Sequence, residues 1–286
     1  MTKKKQFSKV FLIAGSEPLG SAGIQADIKA VAACGGYAAG AITCIVDEDT
    51  IRVKEIQTIP VRLIVNQANS FLEDVGADCI KTGMLYSTEL IEGVAGVLTH
   101  YKHIPHVIDP VMVSSAGDKL LKDEAIQAYK DKLFPLADII TPNYREAKLL
   151  LGRDITLETV RNDLKELSRW GNAVIIKSVE KDGILYDCFY NPHDGRSRIF
   201  RKKKIETKNV NGTGDSFASA IAAYLARGYT MEDAIGKAEA FINKAIWRGS
   251  EYSFGSGFGP VYPFHRASRL FLWEDFCHKF KKMFGF

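Results

Sequence analysis

Short apolar runs that stop at a glycine or a polar cluster alternate, along most of this chain, with longer stretches in which apolar residues recur every three or four positions. Residues 10–14, closed by Gly15, read as a buried strand. Residues 22–33 carry Ile24, Ile28, Val31 and Ala32 at helical spacing. The same contrast predicts strands at 39–46, 79–80, 107–108, 139–140 and 173–177. Helices are predicted at 61–72, 90–98, 125–133, 146–151 and 157–170. Strand and helix alternating for most of the length predict an α/β fold, a mainly parallel sheet with helices on both faces. Residues 183–190 and 198–205, separated by Asn191-Pro192-His193-Asp194-Gly195, predict an antiparallel hairpin added at one edge. Two further helices follow, at 216–226 and 231–247.

No linker-like stretch interrupts the pattern, so 1–264 reads as a single domain. Residues 265–286 read as a C-terminal amphipathic helix carrying Leu270, Trp273, Phe276, Cys277, Phe280 and Phe284. It is expected to pack on the body or on a partner subunit, with a homodimer as the expected assembly. In such sheets ligands bind at the carboxyl ends of strands. Gly15-Ser16-Glu17, Asp109-Pro110 and Thr141-Pro142-Asn143 all fall there.

The segment Asn211-Gly212-Thr213-Gly214-Asp215 precedes an apolar periodic run and so opens a helix. Its glycines let the backbone approach an anion, and the unpaired amides of a helix start favour negative charge. A carboxylate at the mouth of such a cradle can take a proton from an attacking hydroxyl while the amides stabilise a phosphoryl group. Taken alone, the same residues also fit a plain Asp helix cap. The glycines from Gly15 to Gly23 mimic the start of a mononucleotide P-loop. Ser21 and Ala22 stand where that motif needs Lys and Ser or Thr, so it is excluded, leaving a tight turn that could close around a small substrate. Asn143 and Glu146, three apart at a helix start, face one side. They could hold Mg²⁺ through water, or simply cap the helix.

Composition narrows this picture only slightly. An apolar fraction of 46% with 25% charged residues is that of an ordinary globular protein, and the net charge of +4 suits an anionic substrate. Basic runs at 3–5, 198–204 and 279–282 lack any nucleic-acid recognition pattern and read as solvated faces. The five cysteines show no metal or disulfide spacing, and no apolar stretch reaches membrane-spanning length. The expectation is a cytoplasmic protein with no nucleic-acid or membrane partner.

Residues 13–29, IAGSEPLGSAGIQADIK, resemble the opening of the hydroxymethylpyrimidine/phosphomethylpyrimidine kinases of thiamine synthesis, members of the ribokinase superfamily. The likeness continues through Lys81-Thr-Gly-Met-Leu85, Asp109-Pro-Val-Met-Val113, Ile140-Thr-Pro-Asn143 with Glu146, Asn211-Gly-Thr-Gly-Asp215 and Gly255-Ser-Gly-Phe-Gly-Pro260, in collinear order. The resemblance implies a ribokinase-like three-layer sandwich with ATP and Mg²⁺ as co-substrates. The reaction it implies is phosphorylation of the hydroxymethyl group of 4-amino-5-hydroxymethyl-2-methylpyrimidine and of its monophosphate. It places Asp215 as the base and the Gly212, Thr213 and Gly214 amides as the anion hole. Asp109, Asn143 and Glu146 would serve the Mg–phosphate region, and Lys177, Asn143 and Asp109 the ATP. Gly15, Asp27, Glu48, Met84 and Val111 would form the ring pocket.

The chain departs from that family at Asp215, where Cys is common, and at Glu48, where Gln is common. It also has Ser115 and Ser178 in place of a common Lys and Gly. Asp215 and Glu48 keep a vitamin B6 kinase, acting on pyridoxal, pyridoxine or pyridoxamine, as the alternative. A nucleotide-binding regulator that has lost catalysis is the alternative from another class; retention of Asp215, Lys177 and the Asn143/Glu146 pair argues against it.

Overall fold

The computed structural model describes residues 6–113, 121 and 123–266. Ser115 and the expected C-terminal helix from residue 267 onward lie outside the described residues.

The strands are β1 (Lys9–Ser16), β2 (Tyr37–Glu48), β3 (Val53–Thr58), β4 (Cys79–Thr82), β5 (His106–Ile108), β6 (Ile139–Ile140), β7 (Ala173–Lys181), β8 (Ile184–Tyr190) and β9 (Ser197–Lys203). They form one nine-stranded sheet in the order β3-β2-β1-β4-β5-β6-β7-β8-β9. The run from β2 to β7 is parallel throughout, and β3, β8 and β9 are antiparallel. The helices are α1 (Gly23–Ala33), α2 (Val61–Asp74), α3 (Thr88–His100), α4 (Asp123–Ala128), α5 (Tyr144–Leu151), α6 (Val160–Leu167), α7 (Thr213–Ala226) and α8 (Met231–Gly249). Among them no helix is long and apolar enough to cross a membrane.

The chain folds into three layers because both faces of its central strands are apolar. On β1, Phe11 and Ile13 join a core built with α2 to α6, while Val10, Leu12 and Ala14 join a second core with α1, α7 and α8. Fully burying one such side chain is worth about 1.5–3 kcal/mol. A strand covered on both sides therefore reads as a continuous apolar run rather than an alternation.

The expected antiparallel hairpin is β8 and β9 at one edge. An antiparallel strand not expected from the sequence lies at the other edge, because β3 pairs with the extended end of β2. β3, Val-Lys-Glu-Ile-Gln-Thr, buries neither face fully, so its sequence carries no apolar run. The helix expected over 125–133 is also broken: α4 ends at Ala128 and continues as a π-turn, Tyr129–Leu133.

Candidate active site

The carboxyl ends of the parallel strands open into one cavity of about 1040 Å³. Its lining includes Gly15, Glu48, Met84, Asp109, Val111, Asn143, Glu146, Lys177, Gly212, Thr213, Gly214 and Asp215. The sequence-predicted residues therefore converge on one site, with a single exception. Asp27 is fully buried beneath it, its carboxylate accepting from Lys81 Nζ at 2.8 and 2.9 Å and from Ser219 Oγ at 2.7 Å. Placed there, Asp27 supports the site and does not contact a ring in the cavity.

The anion cradle is the start of α7. Gly212 is its N-cap at φ +71°, and a Cβ there would lie 1.8 Å from the Ser21 carbonyl oxygen. Only glycine fits both the left-handed backbone and this contact. No side chain caps α7, so its first amides have no side-chain acceptor. One of the three expected amides is otherwise engaged: the Thr213 N–H donates to Val210 O at 3.2 Å, while its hydroxyl donates to the same oxygen at 2.6 Å. The cradle therefore rests on the backbone at Gly212 and Gly214.

The turn after β1, expected as a tight turn that could close around a small substrate, is closed by its own acid. Glu17 accepts from the amides of Leu19, Gly20, Ser21 and Ala22 and from the Ser21 hydroxyl. With its amides filled, this loop serves as a rigid wall. Asn211 Nδ2 donates to Ser21 Oγ at 2.8 Å, fastening the wall to the α7 turn. The Gly255–Pro260 segment fastens the other side. Phe258 N donates to Thr50 O at 2.7 Å, Gly257 N to Thr50 Oγ1 at 3.0 Å, and Asn211 N to Gly259 O at 2.9 Å. That strap ties the β2–β3 turn to the cradle.

Two carboxylates and two lysines set the electrostatics at the centre. Lys177 Nζ donates to Asp109 Oδ1 at 3.0 Å, and Thr141 Oγ1 donates to the same oxygen at 2.7 Å. Burial would raise the Asp109 pKa, but Lys177 and Lys81 hold it below the ordinary range. A Cβ on Gly214 would lie 3.2 Å from Lys177 Nζ and 3.8 Å from Asp109 Oδ2, so the cradle adjoins this pair. Asp215 lies 3.5 Å from Lys81 Nζ. Burial raises its pKa, Lys81 and Lys177 oppose that, and Asp109 adds to it. A raised pKa makes Asp215 a better proton acceptor than an ordinary aspartate.

Asn143 and Glu146 form a reciprocal capping box at the start of α5: Asn143 Oδ1 accepts from Glu146 N at 3.0 Å, and Glu146 Oε2 accepts from Asn143 N at 2.8 Å. The cap therefore exists, and it uses one oxygen of each side chain. Burial pushes the Glu146 pKa up to about 8, with Lys177 opposing and Asp109 reinforcing the shift. Among the described residues no three acidic, His or Cys side chains cluster closely enough to hold a metal directly.

Glu48, opposite Val53 in the β2–β3 register, lines the cavity, as do Val46, Val53, Ile56 and Met84. Burial, with Glu17, Asp215 and Asp49 nearby, pushes its pKa up to about 7, against a hydrogen bond from the Asn211 side chain. β3 supplies Val53 and Ile56, which sequence reasoning missed. It also missed Arg145, Thr156, Asp187 and Lys202, which line the same cavity. Ser178 sits at φ +61° there, which accounts for glycine being natural at this position. Its amide donates to Asp187 Oδ1 at 2.7 Å, and Asp187 also pairs with Lys202.

Residues 17–262 match the phosphomethylpyrimidine kinase family. The chain is 37% identical over 268 residues to a probable chloroplastic thiamine biosynthetic bifunctional enzyme of Oryza sativa, covering 91% of this chain and 48% of that protein. It thus spans about half the length of that relative. It is 36% identical over 268 residues to a hydroxymethylpyrimidine/phosphomethylpyrimidine kinase of Rhizobium meliloti, covering 92% of this chain and 97% of the other. Among solved structures, the ADP complex of Bacillus subtilis pyridoxal kinase superposes with a TM-score of 0.82 at 31% identity, covering 91% of this chain and 98% of that one.

Proposed function

The chain belongs to the phosphomethylpyrimidine kinase family and has its ribokinase-like fold, and from that premise we propose that it transfers the γ-phosphoryl group of ATP to 4-amino-5-hydroxymethyl-2-methylpyrimidine and to its monophosphate. One observation carries this reading. A single cavity holds a carboxylate of raised pKa, Asp215, in the first turn of an uncapped helix, with Lys177 and Asp109 beside that turn.

In this reading the ring lies at the Glu48–Met84 end and its hydroxymethyl oxygen faces Asp215. The nucleotide enters from the Lys202 end, and its terminal phosphates meet Lys177 and the Gly212–Gly214 backbone. Asp215 accepts the hydroxyl proton as the oxygen bonds to the phosphoryl group. The reaction has a loose transition state, so most of the rate comes from positioning and from charge on the phosphoryl oxygens. The cradle amides and Lys177 supply that charge. The Glu17-closed loop and the Gly255–Pro260 strap hold the cradle in place.

Mg²⁺ fits this site through water. Lys177 and Thr141 both use Oδ1 of Asp109, which leaves Oδ2 available, and Glu146 is a buried acid close to Lys177 and Asp109. Hard oxygens in this number suit an ion that keeps several waters and takes further oxygens from phosphate. Bound there, the ion would neutralise phosphate charge, with Asn143 orienting Glu146.

A second reading, a vitamin B6 kinase, draws on the likeness to the Bacillus pyridoxal kinase structure and on Asp215. An ATP-consumption assay across hydroxymethylpyrimidine, its monophosphate, pyridoxal, pyridoxine and pyridoxamine separates the two. Highest kcat/KM for the pyrimidines supports the first, and highest kcat/KM for a B6 vitamer installs the second.

A further inference from the structure

Lys81 lies on β4 in the middle of the sheet and is fully buried. Its ammonium is 2.8 and 2.9 Å from the two oxygens of Asp27 and 3.5 Å from Asp215 Oδ1. Burial works against the charged form, yet Asp27, Asp215 and Asp109 together hold Lys81 above the ordinary amine range. The residue is therefore a permanent cation at the floor of the site. Gly83 makes room for it, since a Cβ there would lie 3.1 Å from Nζ.

The two acids stand to this cation differently. Asp27 is saturated: Lys81 bonds both its oxygens, and Ser219 Oγ donates to Oδ1 at 2.7 Å. Ser219 lies one turn beyond Asp215 on α7, so Asp27 anchors the ammonium to the helix that carries Asp215. Asp215 accepts from the Gly23 amide, lies at longer range from the Lys81 charge, and remains partly open to the cavity, with 16% of its side chain exposed. A core ion pair alone is weak evidence of stabilisation, because apolar residues often replace one at little cost. Its placement directly beneath Asp215 is what a purely structural pair would not need.

We infer that Lys81 is a positioning residue for phosphoryl transfer, an ammonium anchored by Asp27 that holds the Asp215 carboxylate at the mouth of the cradle. This rests on the reading of Asp215 as the proton acceptor. Asp109, Lys177 and Glu48 also face Asp215, but each lines the cavity, where substrate or nucleotide would engage it. Of the two cations that face Asp215, Lys177 lines the cavity, while Lys81, like its partner Asp27, is sealed from it.

A double-mutant cycle of Lys81→Met and Asp215→Asn, read in kcat and in KM for ATP, tests the inference. K81M should lower kcat on the order of tenfold with KM changed less than about twofold, and in the D215N background it should lower kcat less than about twofold. Because K81M leaves Asp27 buried without its cation, the cycle is repeated with D27N/K81M, which removes both charges and should behave the same way. Equal losses in both backgrounds, or a rise in KM with kcat unchanged, would overturn the role of Lys81. If instead D215N alone keeps wild-type turnover, the reading of Asp215 fails, and that result is distinct from a failure of the Lys81 inference.

Discussion

Gly212 packs on Ser21 so tightly that a side chain of even one carbon would lie 1.8 Å from the Ser21 carbonyl oxygen. The contact joins the loop closed by Glu17 to the turn that opens α7, two segments far apart in sequence. It means that the cradle's position is set by the wall of the ring pocket as much as by its own helix.

Gly212→Ala should therefore damage catalysis more than folding. Loss of one anion-hole donor typically costs about 10²–10³ in rate. We expect a kcat reduced by at least that order, with a strain cost of about 1–3 kcal/mol in stability from the left-handed backbone. Steady-state kinetics beside thermal unfolding measure both, and a variant with wild-type kcat would show that the turn is only a helix start.

Glu146→Gln preserves the acceptor in the α5 capping box while removing the group's ability to ionise. The Mg²⁺ concentration for half-maximal rate should rise severalfold, because the ion can no longer draw an anionic oxygen from this position. A titration curve that does not move would reduce Asn143 and Glu146 to a cap.

Glu48 should make recognition of an aminopyrimidine depend on pH. Its pKa stands above the ordinary value of 4.5, at about 7, so it is protonated below that pH and an acceptor above it. If the ionised carboxylate accepts from the ring's amino group, kcat/KM rises as pH increases through about 7. A hydrogen bond to a charged group is worth about 1.5–3 kcal/mol, or roughly 10- to 150-fold. Glu48→Gln should flatten this limb, while pyridoxal, with no ring amine, should show none of it. A limb retained in E48Q would assign the titration to another group.

The parallel sheet and its helices were legible because burial on both faces leaves unbroken apolar runs, as in β1 and β7. β3 was not, since an edge strand with Lys54, Glu55 and Gln57 facing solvent has no such run. Asp109 and Asn143 were legible because each follows a strand end, and Gly212–Asp215 because a glycine-rich turn opens a helix. Lys81 escaped assignment because a lysine inside Cys-Ile-Lys-Thr gives no sign that it points down to Asp27 rather than into the cavity. Asp27 was misplaced for the converse reason, its polarity suggesting a ligand when its partner is another buried side chain. Glu17 and Lys202 act through contacts that spacing along the chain does not reveal.

The central claim is that this cavity phosphorylates a hydroxymethyl group with Asp215 as proton acceptor. Transfer of label from γ-³²P-ATP to hydroxymethylpyrimidine, followed for the wild type and Asp215→Asn at saturating ATP and Mg²⁺, tests it most directly. We predict labelled pyrimidine monophosphate from the wild type, and turnover lowered by about 10²–10⁴ in the variant with ATP affinity nearly unchanged. Label transfer within a few-fold of wild type in D215N, or none to any ring alcohol by the wild type, would contradict it.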